Sequence, residues 1–175
     1  MSIGIVDYRA GNLRSVESAL RKIGGDYFVS TDPENLLGAS RLIFPGDGEA
    51  SSAMRYLAAN GIDEMLREFV GRGKPVLGIC LGCQIILSHS DEGDTTCLGL
   101  IEGTSSLFPR APGLKVPHMG WNTMEFDRPH PILEGIGSGS SFYFVHSYYP
   151  VPGAEAVPLG WTEYGIRFQA GFCRD

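Results

Sequence analysis

A cysteine flanked by two glycines is the feature of this sequence with the clearest chemical potential. Residues 78–82 read Gly-Ile-Cys-Leu-Gly between an apolar run and a helical pattern, which is the form of a nucleophile elbow. So tight a strand-to-helix turn needs small residues two positions before and two positions after the nucleophile. Cys80 would begin a helix, where the helix dipole favours the thiolate over the thiol. The backbone N–H of Leu81 is then the expected oxyanion donor.

Cys80 also has other interpretations. A cysteine after a buried strand is often only a small apolar core residue, and from this segment alone that interpretation weighs about as much as catalysis. Cys80 and Cys83 form a C-x-x-C pair, which is typical of a thiol redox module. A zinc site is not indicated, because Cys97 and Cys173 lack the spacing of a second pair. We favour Cys83 as a packing residue, because the chain is longer than a minimal thioredoxin domain and the interior of the motif is Leu-Gly.

A second glycine-rich turn, Pro-Gly-Asp-Gly at residues 45–48, ends another apolar run. Paired glycines allow backbone N–H groups to turn toward a ligand or an oxyanion. The segment is not a dinucleotide-binding G-x-G-x-x-G motif, because position 51 is serine. A plain strand-to-helix turn explains it equally well.

A cysteine nucleophile needs a nearby base, and the chain has four histidines. His146 lies in an apolar strand pattern and is interpreted as a structural residue. His89 is expected to end a helix and to be solvated, and His130 lies between two prolines in a loop. No histidine has a sequence context that marks it as the partner of Cys80.

The elements that must position these residues follow an alternating pattern in the first half of the chain. Strands are predicted at 3–6, 27–30, 42–44 and 75–79, and helices begin near 13, 33, 50, 62 and 81, the last running to about His89. This predicts an α/β fold with a largely parallel central sheet flanked by helices. Strand patterns at 104–108, 121–126, 141–145 and 166–172 predict an antiparallel β extension in the C-terminal half of the same single domain, residues 1–175.

Composition narrows the class of protein. The chain has 175 residues, 43% of them hydrophobic and 19% charged, which is typical of one globular domain. A net charge of −6 argues against a nucleic-acid partner. The longest apolar stretch, residues 76–87, is too short for a bilayer, and no signal peptide is recognised, so we expect a cytoplasmic protein without a membrane partner.

Several segments together resemble one family. Residues 7–16 resemble the N-terminal signature of the amidotransferase subunit of imidazole glycerol phosphate synthase. Residues 45–48 are similar to the oxyanion strand of that family, and residues 78–84 to its nucleophile elbow. Residues 117–122 and 142–148 are also similar to family segments. The elbow and Gln84 are common to class I glutamine amidotransferases, whereas the other segments weigh against anthranilate and aminodeoxychorismate synthases.

The resemblance implies a function and a partner. Glutamine would be hydrolysed to glutamate through a thioester on Cys80, and the ammonia would pass to a cyclase subunit of histidine biosynthesis. That partner would be a (β/α)8 barrel, and the two chains would form a heterodimer. No metal or organic cofactor is implied. The residues implied for oxyanion stabilisation and glutamine binding are Gly46, Asp47, Gly48, Leu81, Gln84, Ser147 and Tyr148. Those implied near the ammonia passage and the partner interface are Asn12, Trp121 and Tyr143.

The sequence departs from the family pattern at three points. Asp47 replaces an apolar residue, and we expect its carboxylate to point away from the oxyanion, whose charge it would oppose. Cys83 replaces a common methionine. The family's His-Pro-Glu motif followed by Lys-Ser is not found, and His146 matches a different family position. We therefore expect these 175 residues to show little glutaminase activity, with a catalytically inactive docking domain for the cyclase as the alternative. A glutaminase assay at ordinary rates would contradict that expectation.

Overall fold

A parallel four-stranded sheet with strand order β2-β1-β3-β4 forms the first half of the chain in the computed structural model, which describes residues 2–174. Its strands are β1 (Ile3–Val6), β2 (Tyr27–Ser30), β3 (Arg41–Phe44) and β4 (Val76–Gly78). The helices are α1 (Leu13–Lys22), α2 (Pro33–Leu37), α3 (Ala50–Ala59), α4 (Ile62–Gly71) and α5 (Leu81–Ile85). The predicted α/β class with a parallel central sheet is confirmed.

Local sequence explains where the first helices begin. The Asn12 side chain accepts a hydrogen bond from the Ser15 N–H and so caps α1. Asp32 caps α2 by accepting from the Glu34 N–H, and Pro33 occupies the first helical position, where its missing N–H costs nothing. These caps satisfy backbone groups that a helix leaves unpaired at its N-terminus.

One apolar core joins the helices to the sheet. Phe44 on β3 is fully buried among Leu36, Leu57, Leu66 and Ile85, which come from four different helices. Burial of each such side chain contributes roughly 1.5–3 kcal/mol. The core therefore fixes the ends of β3 and β4, where both glycine-rich turns begin.

The second half consists of two further sheets, with strand orders β10-β7-β5-β6 and β12-β11-β8-β9. The strands are β5 (His89–Ser90), β6 (Thr95–Thr96), β7 (Gly103–Leu107), β8 (His118–Phe126), β9 (Ser140–His146), β10 (Tyr148–Pro152), β11 (Val157–Tyr164) and β12 (Ile166–Cys173). All pairs are antiparallel except β5–β7, which is parallel. A single 3-10 turn, Pro131–Leu133, lies between β8 and β9. No helix among residues 2–174 is long and apolar enough to cross a membrane.

The prediction that α5 runs to His89 is wrong. The helix ends at Ile85 because the carbonyl groups that would continue it accept hydrogen bonds from a later segment: Leu98 N–H donates to Ile85 O, and Leu100 N–H donates to Ile86 O. The chain then enters β5. His89 is therefore a strand residue, and its ring lies 3.4 Å from the Asp94 carboxylate.

Candidate active site

Cys80 occupies a strained turn between β4 and α5. Its backbone angles, φ 55° and ψ −118°, lie in a region that residues other than glycine rarely adopt. A Cβ atom placed on Gly82 would lie 1.9 Å from the Phe44 carbonyl oxygen, and one placed on Gly78 would lie 3.0 Å from the Cys83 Cα. Both glycines are therefore required by close backbone contacts, and the predicted elbow geometry is confirmed.

The electrostatics of the Cys80 thiol differ from the expectation based on the helix dipole. Desolvation is the main cause that raises the pKa of Cys80, and the negative charge of Asp47 raises it further, while a hydrogen bond from the Leu81 N–H acts in the opposite direction. The residue nevertheless keeps a solvent-exposed surface. Burial and the neighbouring carboxylate therefore outweigh the effect expected from the N-terminus of α5, which is only five residues long.

The second glycine-rich turn lies directly beside this elbow. Gly46 is buried, and a Cβ atom placed there would lie 1.9 Å from the Tyr8 hydroxyl oxygen and 3.0 Å from the Leu81 Cβ. Gly48 has a φ of +90° and bends the chain before α3. The two turns, separated by more than thirty positions in the chain, thus meet at the carboxyl ends of β3 and β4.

The Asp47 carboxylate is exposed and is turned toward the loop between β1 and α1. Its Oδ1 accepts a hydrogen bond of 2.9 Å from the Gly11 N–H. The charge is still close enough to raise the pKa of both Cys80 and Tyr8. Whether the carboxylate stays away from a bound oxyanion remains a prediction.

Tyr8 is a residue of this site that sequence reasoning gave no role. Its side chain is 1% exposed, its ring packs at 5.2 Å from that of Phe44, and its hydroxyl has no hydrogen-bond partner among the described residues. Desolvation, followed by the charges of Asp47 and Cys80, raises the pKa of this hydroxyl. The available signal was its position just after β1, since neighbouring parallel strands end at the same edge of a sheet.

The residues implied for glutamine binding come together from distant parts of the chain. The Gln84 Nε2 group donates a 2.9 Å hydrogen bond to the Tyr148 carbonyl oxygen, across 64 positions of sequence. Gln84 is held close to the nucleophile because its N–H donates to the Cys80 carbonyl at 3.1 Å. Ser147 joins β9 to β10, and its carbonyl accepts from the Phe108 N–H at 3.0 Å.

Acidic side chains that the sequence did not single out face Tyr148. Desolvation raises the pKa of the Tyr148 hydroxyl, and the charges of Glu92, Asp91 and Glu49 raise it further. Glu92 is fixed in place, since its Oε2 accepts a 2.7 Å hydrogen bond from the Ala50 N–H at the start of α3. These carboxylates give this side of the site a negative potential.

The four histidines all have partners other than Cys80 among the described residues. His118 and His146 bond to each other, His89 lies beside Asp94, and His130 accepts from the Ile132 N–H. The interpretation of His146 as a structural residue agrees with this pairing. None of the four is therefore assigned as the base for Cys80.

Cys83 lies behind the nucleophile on α5. Desolvation raises the pKa of its thiol to about 12, with a further contribution from Cys80. A redox-active C-x-x-C pair depends on a lowered pKa of its first, attacking thiol, whereas the pKa of Cys80 is raised, mainly by desolvation. The structure therefore gives no support to the redox module.

The residues implied for the partner interface lie on two neighbouring strands and at the start of α1. Trp121 and Tyr143 are 74% and 57% exposed, and their rings contact each other edge to face at 5.6 Å across the β8–β9 pair. Met119 and Val145, the neighbouring pair on the same face, are also exposed. Asn12 lies at the start of α1, where its side chain caps the helix.

Comparison with known proteins agrees with this geometry. The family model described as Glutamine amidotransferase class-I matches residues 5–170. The imidazole glycerol phosphate synthase subunit HisH of Nitratidesulfovibrio vulgaris (strain DP4) is 47% identical over 174 residues, covering 96% of this chain and 81% of that protein. HisH of Moorella thermoacetica is 45% identical over 173 residues, covering 98% of this chain and 81% of that protein.

Solved structures support the fold. A glutamine amidotransferase crystal structure superposes with a TM-score of 0.68 at 22% identity, covering 94% of this chain and 86% of that one. A glutamine amidotransferase from Thermotoga maritima gives 0.65 at 16% identity, covering 99% of this chain and 70% of that one. The chain belongs to the class I glutamine amidotransferase family and, within it, to the group of HisH subunits of imidazole glycerol phosphate synthase.

Proposed function

We propose that this chain is the glutaminase subunit of imidazole glycerol phosphate synthase. In that role glutamine is hydrolysed at Cys80 and ammonia passes to a cyclase subunit for histidine biosynthesis. Because none of the four histidines is assigned as the base for Cys80, the 175 residues alone are expected to turn glutamine over only slowly. The observation that carries the proposal is the strained elbow of Cys80, which lies directly against the glycine-rich turn at residues 45–48. Elbow and oxyanion segment are two of the parts that acyl transfer from an amide requires.

The chemistry follows from the position of the thiol. The Cys80 thiolate attacks the side-chain carboxamide carbon of glutamine, and the carbon–nitrogen bond breaks as the nitrogen takes up a proton and leaves as ammonia. Water then cleaves the thioester, which gives glutamate and restores the thiol. The N–H of Leu81, with the backbone at Gly46, Asp47 and Gly48, is proposed to stabilise the oxyanion in both steps.

Glutamine recognition is proposed on the side of Cys80 where Gln84 bonds to the Tyr148 carbonyl. Ser147 and Tyr148 would supply backbone contacts to the substrate. The carboxylates of Glu92, Asp91 and Glu49, whose charges reach Tyr148, suit the α-ammonium group of glutamine.

The cyclase subunit is proposed to dock on the exposed apolar face of the β8–β9 pair. Met119, Trp121, Tyr143 and Val145 present two adjacent cross-strand pairs on one face. Large exposed aromatic side chains are typical anchors of protein interfaces. Asn12 is proposed to line the ammonia passage. A cytoplasmic location is proposed because the relatives are named as subunits of a biosynthetic synthase.

The proposal is tested by alkylation with 6-diazo-5-oxo-norleucine, a reactive analogue of glutamine, followed by mass spectrometry of peptides. We expect one adduct, on Cys80. The variant Cys80→Ser should abolish it, whereas Cys83→Ser should not. Absence of an adduct on Cys80, or equal labelling of Cys83, would count against a glutamine-directed nucleophile.

A further inference from the structure

A chain of hydrogen bonds, which we call the histidine relay, links β8 to α5 through β9 and β10. It consists of the side chains of Asn122, His118 and His146, the carbonyl group of Tyr148, and the side chain of Gln84. Asn122 Nδ2 lies 3.3 Å from His118 Nε2, and His118 Nδ1 lies 3.0 Å from His146 Nε2. His146 Nδ1 lies 2.8 Å from the Tyr148 oxygen, which also accepts from Gln84 at 2.9 Å.

The proton positions in the relay follow from its two ends. At one end, Asn122 Oδ1 accepts from the Thr123 N–H, so Nδ2 is the group that donates to His118 Nε2. His118 must then carry its proton on Nδ1 and donate it to His146 Nε2. At the other end, a carbonyl oxygen can only accept, so His146 must carry its proton on Nδ1. Both ends demand the same arrangement, with each ring neutral and protonated on Nδ1.

The surroundings keep both rings in this state. His118 is 2% exposed and stacks between Tyr164 at 3.9 Å and Phe144 at 4.7 Å, so its ring has no room to turn over. Phe108 packs edge-on against His146 at 5.2 Å, and Phe168 lies tilted against it at 5.5 Å. Burial lowers the pKa of both histidines, which favours the neutral forms that the relay requires.

The two ends of the relay lie at functionally different places. Asn122 follows Trp121 on β8, whose opposite face carries the proposed docking surface. Gln84 lies one turn after Cys80 on α5, and its amide reaches Tyr148, next to Ser147. A change in either histidine therefore acts on the glutamine side of the site without touching the nucleophile.

We propose that His118 and His146 are positioning residues that hold the Tyr148 carbonyl and Gln84 in the geometry that binds glutamine. This inference rests on the proposed glutaminase function. It gives the buried His118 and the half-buried His146 a role in substrate binding, distinct from that of a general base. His146 acts directly on the Tyr148 carbonyl. His118 acts only by donating to His146 Nε2, which keeps the proton of His146 on Nδ1, so His118 is not needed when Asn supplies the donor.

The proton positions are tested on the unmodified chain by long-range nitrogen–proton NMR of the imidazole rings. Both histidines should be neutral and protonated on Nδ1 at pH 7 to 8. A ring protonated on Nε2, or one that is charged at pH 7, would overturn the relay, and this result does not depend on glutamine binding.

The positioning role is tested by two variants of His146 that cut the relay at different links. His146→Asn places an amide nitrogen near the position of Nδ1 and keeps a donor for the Tyr148 carbonyl. His146→Gln extends to the position of Nε2, which keeps an acceptor for His118 but removes that donor. The apparent binding constant and the limiting rate of Cys80 alkylation by 6-diazo-5-oxo-norleucine are measured for each variant.

We expect His146→Gln to weaken binding of the analogue about tenfold with little change in the limiting rate, and His146→Asn to stay within about threefold of wild type. Alkylation by iodoacetamide, which needs no glutamine pocket, should be the same in all three proteins. Equal binding by both variants would overturn the positioning role. If the analogue fails to label wild-type Cys80 while iodoacetamide succeeds, the proposed function fails, and the positioning role fails with it.

Discussion

At the scale of single residues, the backbone strain of Cys80 is maintained by glycines that contact main-chain atoms directly. The Phe44 carbonyl approaches Gly82 so closely that no side chain fits, and that carbonyl also accepts the Ile79 N–H at 3.0 Å. The strand end and the helix start are thereby locked together. The unusual conformation of Cys80 persists because its surroundings leave no alternative.

Replacement of Gly82 by alanine should therefore be severely destabilising. The added Cβ would lie 1.9 Å from a carbonyl oxygen held in the buried end of β3, and we expect a loss of about 3 kcal/mol or more in the free energy of unfolding. The matched control is Gly71→Ala at the end of α4, where nothing lies within 4 Å and stability should change by less than about 1 kcal/mol. Urea unfolding of both variants provides the measurement; similar stabilities would contradict the close contact.

The Asp47 carboxylate has two roles that substitutions can separate: it accepts a hydrogen bond from the Gly11 N–H, and its negative charge raises the pKa of Cys80. Asp47→Asn keeps an oxygen to accept from the Gly11 N–H and removes the negative charge, so the pKa of Cys80 should fall. The pH at which iodoacetamide alkylation of Cys80 is half-maximal should then move downward, and the rate at pH 8 should rise severalfold. Asp47→Val removes both the charge and the hydrogen bond from the Gly11 N–H, so comparison with Asp47→Asn isolates the effect of that bond. An alkylation profile identical to wild type in Asp47→Asn would show that the carboxylate does not act on the thiol.

The strand-to-helix turn at Cys80 was predictable from the sequence, because the G-x-C-x-G spacing is typical of that turn. The pKa of Cys80 was not predictable. It depends on burial and on the position of Asp47, which comes from another turn. Tyr8 was missed for a similar reason, since nothing near it in sequence shows that its hydroxyl packs against Gly46.

At the scale of elements, the parallel sheet was predictable because short apolar runs ended by glycine or proline mark each buried strand. β10 and β11 were not predicted, since Pro150, Pro152 and Pro158 interrupt them and prolines are usually confined to edges or irregular positions of sheets. The early end of α5 was also hidden, because it depends on hydrogen bonds to Leu98 and Leu100, more than ten residues further along.

The buried His118 of β8 should make stability depend on pH. Burial, with a smaller effect of His146, lowers the pKa of His118 from 6.5 to about 4. The unfolded chain takes up this proton below about pH 6.5, whereas the folded chain does so only near pH 4. Stability from His118 is therefore complete above pH 6.5 and is lost as the pH falls, by on the order of 3 kcal/mol.

The test compares chemical unfolding of wild type and His118→Asn, which cannot titrate, between pH 7.5 and 4.5. The free-energy difference between the two proteins should shrink as the pH falls. Carboxylates contribute equally to both proteins and so cancel. A difference that stays constant over this range would contradict a neutral, buried His118.

At the scale of the whole molecule, the assembly of the site from distant segments could be predicted only through family resemblance. The bond between Gln84 and Tyr148 crosses 64 positions, and the pairing of His118 with His146 depends on the register of β8 and β9. Periodicity indicates that strands exist but does not give their partners. The exposed face of β8 and β9 likewise becomes visible only when their side chains are placed.

Substitutions on that exposed face should weaken binding of the cyclase subunit without changing the free energy of unfolding. Trp121→Ala should leave the free energy of unfolding within about 0.5 kcal/mol of wild type, because the side chain is 74% exposed. It should weaken binding to the cyclase subunit by about 2 kcal/mol or more, or roughly thirtyfold. Calorimetric titration with the cyclase gives the affinity. Val151→Ala, an exposed apolar position on β10, serves as the control, and equal losses from both variants would contradict a specific docking face.

The central claim, that Cys80 is the nucleophile of a glutamine site, is tested most directly by competition. The rate of Cys80 alkylation by 6-diazo-5-oxo-norleucine is measured alone, with L-glutamine and with D-glutamine. If the elbow, Gln84 and the Tyr148 carbonyl form a glutamine site, L-glutamine should slow the reaction progressively as its concentration rises. D-glutamine should have little effect. Alkylation that neither compound slows would show that Cys80 reacts only as an exposed thiol and would contradict the assignment.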